Sequence, residues 1–474
     1  MPESSPSSFR HVEEKHVSSE IHCMVWSPKM DLLATANANG EVIVYRLSWQ
    51  KVWTMTPSSD DAKAVRLAWR PDGKVLAVSC ENGTVLLCNV EDSSVLHTLE
   101  IHADVTSLSW DSEDPVEQPA GENEPRDCFQ DLSSHFLPKL PPFSKAYRMV
   151  QRIQKNSLVK QILQLIFFNR LNVLVIGTTT SQVHLFAYGI FPLCGLGKVH
   201  GTQLSKNLSV LSLVVEEEQS DSSRRLKYLA YDSTLLASHH REVRILALKF
   251  GQMLSLLGYL DSTIHQMSEA WEDILLEVDS KLLKFAEEKH KACSGSVSND
   301  FLRLLMLGMP SDELKDFLLQ DLTDKGLKKL GLSIETSYSN IQKLVMKHLQ
   351  SVGQSIVYHL CDLRGMSLWP DKFGVLGLCH STLQEAVSIA GCFMLTASEL
   401  QQVIDGSMKN FKAFFRWLYV VIQRLCDEPI PPELSKMTQQ DLNFVAQFLK
   451  ENFTQDYDEQ KTGFKLEKVG QVRD

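Results

Sequence analysis

No C-x-x-C pair occurs in the 474 residues; the ten cysteines, Cys23, Cys80, Cys88, Cys128, Cys194, Cys293, Cys361, Cys379, Cys392 and Cys426, stand singly. Single spacing removes the paired-thiol pattern of zinc and redox motifs and reads as reduced, mostly buried thiols of a cytosolic or nuclear protein. The histidines lack H-E-x-x-H or any other ligand spacing, including adjacent His239 and His240 and the scattered His348, His359 and His380, so no metal is expected. No G-x-S-x-G elbow presents a nucleophile. Gly195-Leu-Gly-Lys-Val-His-Gly201 fails both phosphate-loop patterns: its last glycine is one residue too far for G-x-G-x-x-G, and no Ser or Thr follows its Gly-Lys. It reads as a flexible connection. The chain is therefore expected not to be an enzyme, with no catalytic, cofactor-binding or metal-binding residue and no cofactor.

A basic surplus is missing too. Lys plus Arg total 48 against 58 Asp plus Glu, a formal net charge of -10, whereas affinity for a phosphate backbone comes from clustered cations; nucleic acid is not an expected partner. The N-terminus, Met1 to Arg10, lacks the charged-then-apolar pattern of a secretory signal. The longest apolar stretch, about Leu158 to Ile176, is interrupted by Lys160, Gln161, Gln164, Asn169 and Arg170, short of the ~20 mostly apolar residues of a membrane span. The expectation is an intracellular soluble chain without a transmembrane helix. At 43% hydrophobic residues, it can build substantial cores, roughly three domains by length.

What is present is a repeat. Val25-Trp-Ser-Pro-Lys-Met-Asp-Leu-Leu-Ala-Thr-Ala-Asn-Ala-Asn-Gly-Glu-Val-Ile-Val-Tyr45 aligns with Ala68-Trp-Arg-Pro-Asp-Gly-Lys-Val-Leu-Ala-Val-Ser-Cys-Glu-Asn-Gly-Thr-Val-Leu-Leu-Cys88. Trp26 falls on Trp69, Pro28 on Pro71, Leu33-Ala34 on Leu76-Ala77, Asn39-Gly40 on Asn82-Gly83 and Val42 on Val85. Each unit reads as a strand ending in Trp, a Pro-containing turn, a second strand, an Asn-Gly turn and a third strand. Asn-Gly suits a type I′ hairpin, whose two central residues take positive φ. A period of about 40 to 45 residues is that of a WD-repeat β-propeller blade, and the repeated tryptophans read as core packing.

A third unit begins at Val105-Thr-Ser-Leu-Ser-Trp110 and resumes at Asn172 to Gly177 and Gln182 to Tyr188. Between them an acidic stretch, about 111–135, is punctuated by Pro and Gly and reads as a surface loop. A weaker fourth unit covers about Gly195 to Leu236, with strands at Leu208 to Val215 and Leu226 to Tyr231 around a polar turn, Glu216 to Arg225. From about Ala237 the apolar period changes from 2 to 3.6. Helical patterns cover Val243 to Leu257, Ser262 to His290, Asp300 to Leu307, Ser311 to Leu330, Ser339 to Leu363, Leu383 to Thr396, Ala397 to Leu425 and Thr438 to Asn452. No helix pair repeats at a fixed spacing, which favours a bundle over a solenoid. The expected fold is an incomplete β-propeller of about four WD-repeat-like blades, residues 1–236, followed by an all-α long helical bundle, residues 237–455, and a C-terminal tail, residues 456–474.

Three short segments invite a binding reading. Pro138-Lys-Leu-Pro141-Pro142 contains P-x-x-P, which either docks an aromatic groove as a polyproline helix or makes a stiff return from the acidic loop. Arg224-Arg225-Leu-Lys227 reads as a solvated turn. In Met408 to Leu425, a helical wheel puts Phe411, Phe414, Phe415, Leu418, Ile422 and Leu425 on one side and Lys409, Lys412, Arg416 and Gln423 opposite. Trp417, Tyr419 and Val420 lie off the main stripe. Two readings stand side by side: a central helix packed on several sides, or a partner-binding edge made of Lys409, Lys412, Arg416, Trp417 and Tyr419.

The chain also resembles a known family, subunit 4 of the anaphase-promoting complex/cyclosome, almost end to end. The likeness is carried by Val25-Trp-Ser-Pro28, Glu41-Val-Ile-Val44, Leu67-Ala-Trp-Arg-Pro-Asp-Gly-Lys74, Leu137-Pro-Lys-Leu-Pro141, Gly326-Leu-Lys-Lys-Leu-Gly331, Ile341-Gln-Lys-Leu-Val345, Met408 to Val420 and Pro432-Glu-Leu-Ser-Lys-Met-Thr-Gln-Gln-Asp441. The resemblance implies a propeller with inserted helices and a non-catalytic scaffold of a cell-cycle ubiquitin ligase, acting in mitosis and G1. It further implies a hetero-oligomer with platform subunits 1 and 5, and nuclear and cytoplasmic residence. It carries no active-site residues. Two departures stand out. Tyr45-Arg-Leu47 and Cys88-Asn-Val90 replace the usual Trp-Asp, so the buried polar network of regular WD repeats is expected to be missing. The family chain returns after the helices to complete the propeller, so a sequence stopping at Gly470-Gln-Val-Arg-Asp474 is expected to be a truncated or alternatively spliced form with exposed strand edges. The rival readings are a coat or vesicle-tethering protein, whose helices would repeat as a solenoid, and an enzyme with an unrecognised site.

Overall fold

In the computed structural model, residues 14–57, 63–112, 133–143, 170–180, 182–196, 201–218, 224–291, 297–430 and 437–452 are described. The expected tail, the Gly197 to His200 part of the glycine-rich connection and most of the acidic stretch lie outside them. The first 43-residue unit forms a meander of β1 (Ile21–Trp26), β2 (Leu32–Asn37), β3 (Val42–Arg46) and β4 (Lys51–Met55); the second repeats it with β5 (Ala64–Trp69), β6 (Val75–Cys80), β7 (Thr84–Asn89) and β8 (Val95–Glu100). The third sheet joins β9 (Val105–Ser112) across the long insertion to β10 (Asn172–Thr178), β11 (Val183–Ala187) and β12 (Phe191–Leu196). A fourth holds β13 (Gly201–Leu204), β14 (Val210–Glu218) and β15 (Arg224–Asp232). All pairings are antiparallel. β1, β5, β9 and β13 neighbour one another in turn, so the sheets stand in a propeller-like row.

The strands form where they do because apolar residues buried on both faces fill the spaces between sheets. β6 and β10 are buried along their whole length, the behaviour of a central strand covered on both sides. The row stays open among the described residues: Met24 and Trp26 on β1 are 57% and 54% exposed, and Leu226 and Tyr228 on β15 are 75% and 65% exposed.

That openness corrects the reading of every repeated Trp as core. Trp69 is 5% exposed, and its Nε1–H donates to the Val25 carbonyl of the neighbouring sheet at 3.0 Å. Trp110 is also buried, and its Nε1–H donates to Asn172 Oδ1 at 2.9 Å. Trp26 occupies the same repeat position on β1, but no sheet stands on its outer side among the described residues. Buried polar groups nonetheless occur: Arg70 holds Asp72 through two hydrogen bonds of 2.8 and 2.6 Å, and Asp72 Oδ1 also accepts the Lys74 N–H at 3.0 Å.

The Asn-Gly turns are not type I′. Gly40 and Gly83 take φ of 78° and 74°, but Asn39 and Asn82 are not among the residues with positive φ. Gly40 N–H bonds back to Asn37 O and Gly83 N–H to Cys80 O, so each glycine closes a longer turn in the left-handed conformation, the pattern of a type I turn with a glycine bulge. Two boundaries also move. β9 runs through Asp111 and Ser112, beyond the expected strand. β14 and β15 run through much of the expected polar turn, with Glu217 in register with Arg225 and Glu218 with Arg224. Arg224-Arg225-Leu-Lys227 is strand, not turn.

Beyond Asp232 the structure is helical: α2 (Thr234–Ser238), α3 (His240–Lys291), α4 (Val297–Leu307), α5 (Asp312–Asp316), α6 (Asp324–Lys343), α7 (Gln350–Ser367), α8 (His380–Leu425) and α9 (Gln439–Asn452); a short α1 (Ser133–Phe136) lies in the insertion. π-helical turns at Phe317–Leu322 and Leu344–Leu349 link α5 towards α6, and α6 to α7. The expected breaks after Leu330 and Thr396 are absent. Burial of Leu330, Ile334, Tyr338 and Ile341 along one face of α6 outweighs the cost of about 1 kcal/mol for Gly331 inside a helix. α3 from His240 to Ile274 and α8 are also long and apolar enough, by length and composition alone, to cross a membrane, which the sequence reading did not expect. A core helix meets the same criteria; 39% of the apolar window of α3 and 17% of that of α8 is buried, and the C-terminal part of α8 buries Phe411, Phe414 and Leu418 in protein.

Two compact units emerge: Met1–Cys128, Lys145–Ser255 and Ser367–Leu378 form one, and Phe129–Ser144, Leu256–Met366 and Cys379–Asp474 the other. The first takes in the sheets and the start of α3, whose Val243 and Ala247 join the core of β6, β7, β10 and β11. It also includes the segment between α7 and α8, where Leu376 packs against that core and His239 Nε2 lies 3.4 Å from the Asp371 carbonyl. The second has its own core, built on α4, α6, α8 and α9.

Candidate partner-binding surface

The segment Met408 to Leu425 is the C-terminal part of α8, which packs against α6 and α9, while α9 in turn packs against α4. Its rings form a continuous cluster: Phe411 and Phe414 each lie 4.9 Å from Phe448, Phe414 is 6.1 Å from Phe301, and Phe411 is 5.6 Å from Tyr338. The Tyr338 hydroxyl lies 2.7 Å from Ser407 Oγ, so the phenol is hydrogen-bonded inside the core; burial raises its pKa, with the Ser407 bond opposing. α9 is fixed at its start by a capping box. Thr438 N–H and Oγ1 donate to Asp441 Oδ2 at 3.0 and 2.8 Å, and Asp441 N–H donates back to Thr438 Oγ1 at 3.2 Å. The Thr438 backbone bond leads the causes that hold the Asp441 carboxyl below its ordinary 3.8.

The five sequence-predicted residues do not share one environment. Lys409 and Lys412 are exposed, and Lys412 Nζ meets Glu335 Oε1 of α6 at 2.7 Å. Arg416 is half-buried, and its charge contributes to lowering Asp441. Tyr419 is half-buried beneath Lys328, whose Nζ lies 4.8 Å from the ring centroid and 3.1 Å from Asp324 Oδ2. Trp417 is 6% exposed, in the core beside Phe414 at 6.0 Å between ring centroids. Gln423, expected on the polar side, is buried as well. The helix is thus packed on several sides, and its outward surface at this level is Lys409 and Lys412 with parts of Arg416 and Tyr419.

The cysteines are less buried than expected: of the seven whose side chains are described, Cys80 and Cys88 are buried, while Cys379, Cys392 and Cys426 are exposed. Those three lie at the start, on the outer face and just past the end of α8. Burial pushes the Cys88 thiol up to about 12; at exposed Cys379, the Ser381 hydroxyl and then the Thr382 N–H lower the thiol to about 6. Among the described residues, no group of three or more His, Cys, Asp and Glu is placed to hold a metal ion.

Sequence reasoning missed Tyr259 and His348. The Tyr259 hydroxyl donates to the Pro141 carbonyl at 2.7 Å and lies 2.7 Å from His348 Nδ1, and Phe143 stacks on the Tyr259 ring at 4.6 Å. The Pro-rich signal was visible, but its aromatic partners lie more than 100 residues away in sequence.

A row of antiparallel sheets on a Trp and Asn-Gly repeat, continued by a helical region, defines a protein of the WD40 propeller class with an attached helical part. The model for "Anaphase-promoting complex subunit 4 WD40 domain" matches residues 24–113, and that for "Anaphase-promoting complex, cyclosome, subunit 4" matches residues 227–428. Anaphase-promoting complex subunit 4 of Homo sapiens is 43% identical over 98% of this chain and 58% of its own length; that of Schizosaccharomyces pombe is 21% identical over 88% of this chain and 60% of its own, and that of Dictyostelium discoideum 19% over 87% and 60%. The chain belongs to the anaphase-promoting complex subunit 4 family. It spans a little under two thirds of the length of these relatives. Among solved structures, a chain of "Crystal Structure of Mitotic Checkpoint Complex" aligns over 49% of this chain and 56% of its own at a TM-score of 0.27 and 15% identity, too distant to argue from.

Proposed function

We propose that this chain is a structural component of the anaphase-promoting complex, a non-catalytic scaffold of a cell-cycle ubiquitin ligase that holds platform subunits, subunits 1 and 5 among them, in the nucleus and cytoplasm. The observation that carries this is 43% identity sustained over 98% of the chain, with one family model on the sheets and another on the helices. Both units keep apolar side chains outside, Met24, Trp26 and Tyr228 on the outermost sheets and Ile389 and Leu395 on α8, and in this proposal neighbouring subunits cover them. Lys409, Lys412, Arg416 and Tyr419 form a polar, basic rim in this proposal, with Trp417 beneath them as packing support.

Affinity capture of the tagged 474-residue chain from dividing cells, followed by mass spectrometry, tests the reading. Stoichiometric recovery of the other complex subunits is the expected result; recovery of coat components would overturn it. The double change Lys409→Ala and Lys412→Ala should reduce that recovery while costing under about 1 kcal/mol of stability, the lost Lys412–Glu335 pair included. An unchanged recovery would remove these two residues from the interface.

A further inference from the structure

Leu137, Leu140, Pro141 and Phe143 are half-buried, while Pro138, Lys139 and Pro142 are exposed; Leu137, Leu140 and Phe143 stand at every third position. A three-residue period is that of a polyproline II helix, which carries no internal hydrogen bonds and leaves its carbonyls free for a partner. Here the free carbonyl is that of Pro141, 2.7 Å from Tyr259 Oη. The Phe143 ring lies 4.6 Å from Tyr259 and 5.4 Å from His348, and the Tyr259 and His348 rings are 5.9 Å apart and inclined by 11°. Phe143 is inclined by 27° to the Tyr259 ring and by 21° to that of His348, so it stacks on both with a tilt. A carbonyl only accepts, so the single phenolic proton goes to Pro141. The 2.7 Å contact between Tyr259 Oη and His348 Nδ1 then requires His348 to carry its proton on Nδ1 and to donate. Burial, with Lys347 second, lowers the His348 pKa, and burial raises that of Tyr259, so both groups stay in the neutral forms this relay needs.

An aromatic wall plus a hydroxyl donating to a proline carbonyl is the chemistry by which polyproline segments are recognised between proteins. In this chain both parts come from one molecule and one compact unit. We propose that Tyr259 and His348 form a polyproline-recognition groove and that Leu137–Phe143 is its resident internal ligand, so that a Pro-Pro-aromatic segment of another protein binds there by displacing it. Exposure of Pro138, Lys139 and Pro142 along the ligand leaves a small contact, of the kind that opens locally without global unfolding.

The test uses the full chain and a fluorescent peptide, Leu-Pro-Gln-Leu-Pro-Pro-Phe, in which Gln replaces the lysine. Leu140→Ser with Phe143→Ala empties the groove and should tighten peptide binding roughly tenfold or more relative to the unaltered chain, because an occupied site reduces apparent affinity by the fraction that is free. Adding Tyr259→Phe should remove that gain. No binding to the emptied variant, or binding indifferent to Tyr259→Phe, overturns the proposal. Should the emptied variant fail to unfold cooperatively, the unaltered chain answers instead: excess peptide should accelerate tryptic cleavage after exposed Lys139 several-fold, and an unchanged rate overturns it.

Discussion

Trp26 and Trp69 are the same residue in two copies of one repeat, and their fates differ because only one has a neighbour. Trp69 Nε1 finds the Val25 carbonyl inside a core; Trp26 stands 54% exposed. Trp69→Phe keeps most of the ring and loses the hydrogen bond, so it should cost about 1 kcal/mol in chemical denaturation. Trp26→Phe should stay within about 0.5 kcal/mol, as exposed substitutions do. At the start of α9, Thr438→Ala should cost about 1 kcal/mol through loss of the cap. Asp441 adds a pH dependence whose sign follows from its lowered pKa: its stabilisation is present above the ordinary value of 3.8 and disappears as pH falls through the lower folded value. Urea titrations should therefore show a stability gap between the unaltered chain and Asp441→Asn at pH 7 that closes as pH falls below 3.8.

Turns and helix boundaries depend on more than their own residues. Asn-Gly correctly marks a hairpin in both units, but strand register fixes the turn type, and the glycine alone takes positive φ. At Gly83 a Cβ would stand 2.8 Å from the Ala103 nitrogen and 2.9 Å from its carbonyl oxygen, backbone atoms that cannot swing aside. Gly83→Ala should cost about 1–2 kcal/mol from its left-handed backbone and more from this contact, read as a lower thermal midpoint. The helical period located the helices, yet it placed breaks at Leu330 and Thr396 where none occur, because an apolar stripe drifts around a long helix as the neighbours it packs against change. α8 shows this: its sides meet α6 and α9, so Trp417 and Gln423, off the expected stripe, are buried too.

The division of the chain into units is a tertiary property. The apolar period changes near Ala237, but the first compact unit reaches Ser255 and takes in Ser367–Leu378, since Val243, Ala247 and Leu376 bury their apolar surface against the sheets. For the candidate surface, this separates support from contact. Trp417→Ala should cost about 3–5 kcal/mol, measured by denaturation, because it empties a core position. Lys412→Ala should cost under about 1 kcal/mol despite its 2.7 Å partner Glu335, since both side chains are about half exposed. A large loss of stability on Lys412→Ala would assign that pair a structural role.

By itself the sequence determined the 43-residue repeat, the strand and helix regions and the family, because periodicity, turn residues and long identity are local or additive along the chain. Tertiary structure alone decided which repeated Trp finds an acceptor, which cysteines are buried and what the Pro-rich segment binds. Each of those outcomes depends on a partner distant in sequence: Pro141 meets Tyr259 across 118 residues, and no local pattern in either segment names the other. Burial and hydrogen bonding are properties of neighbours in space, and the fold chooses those neighbours.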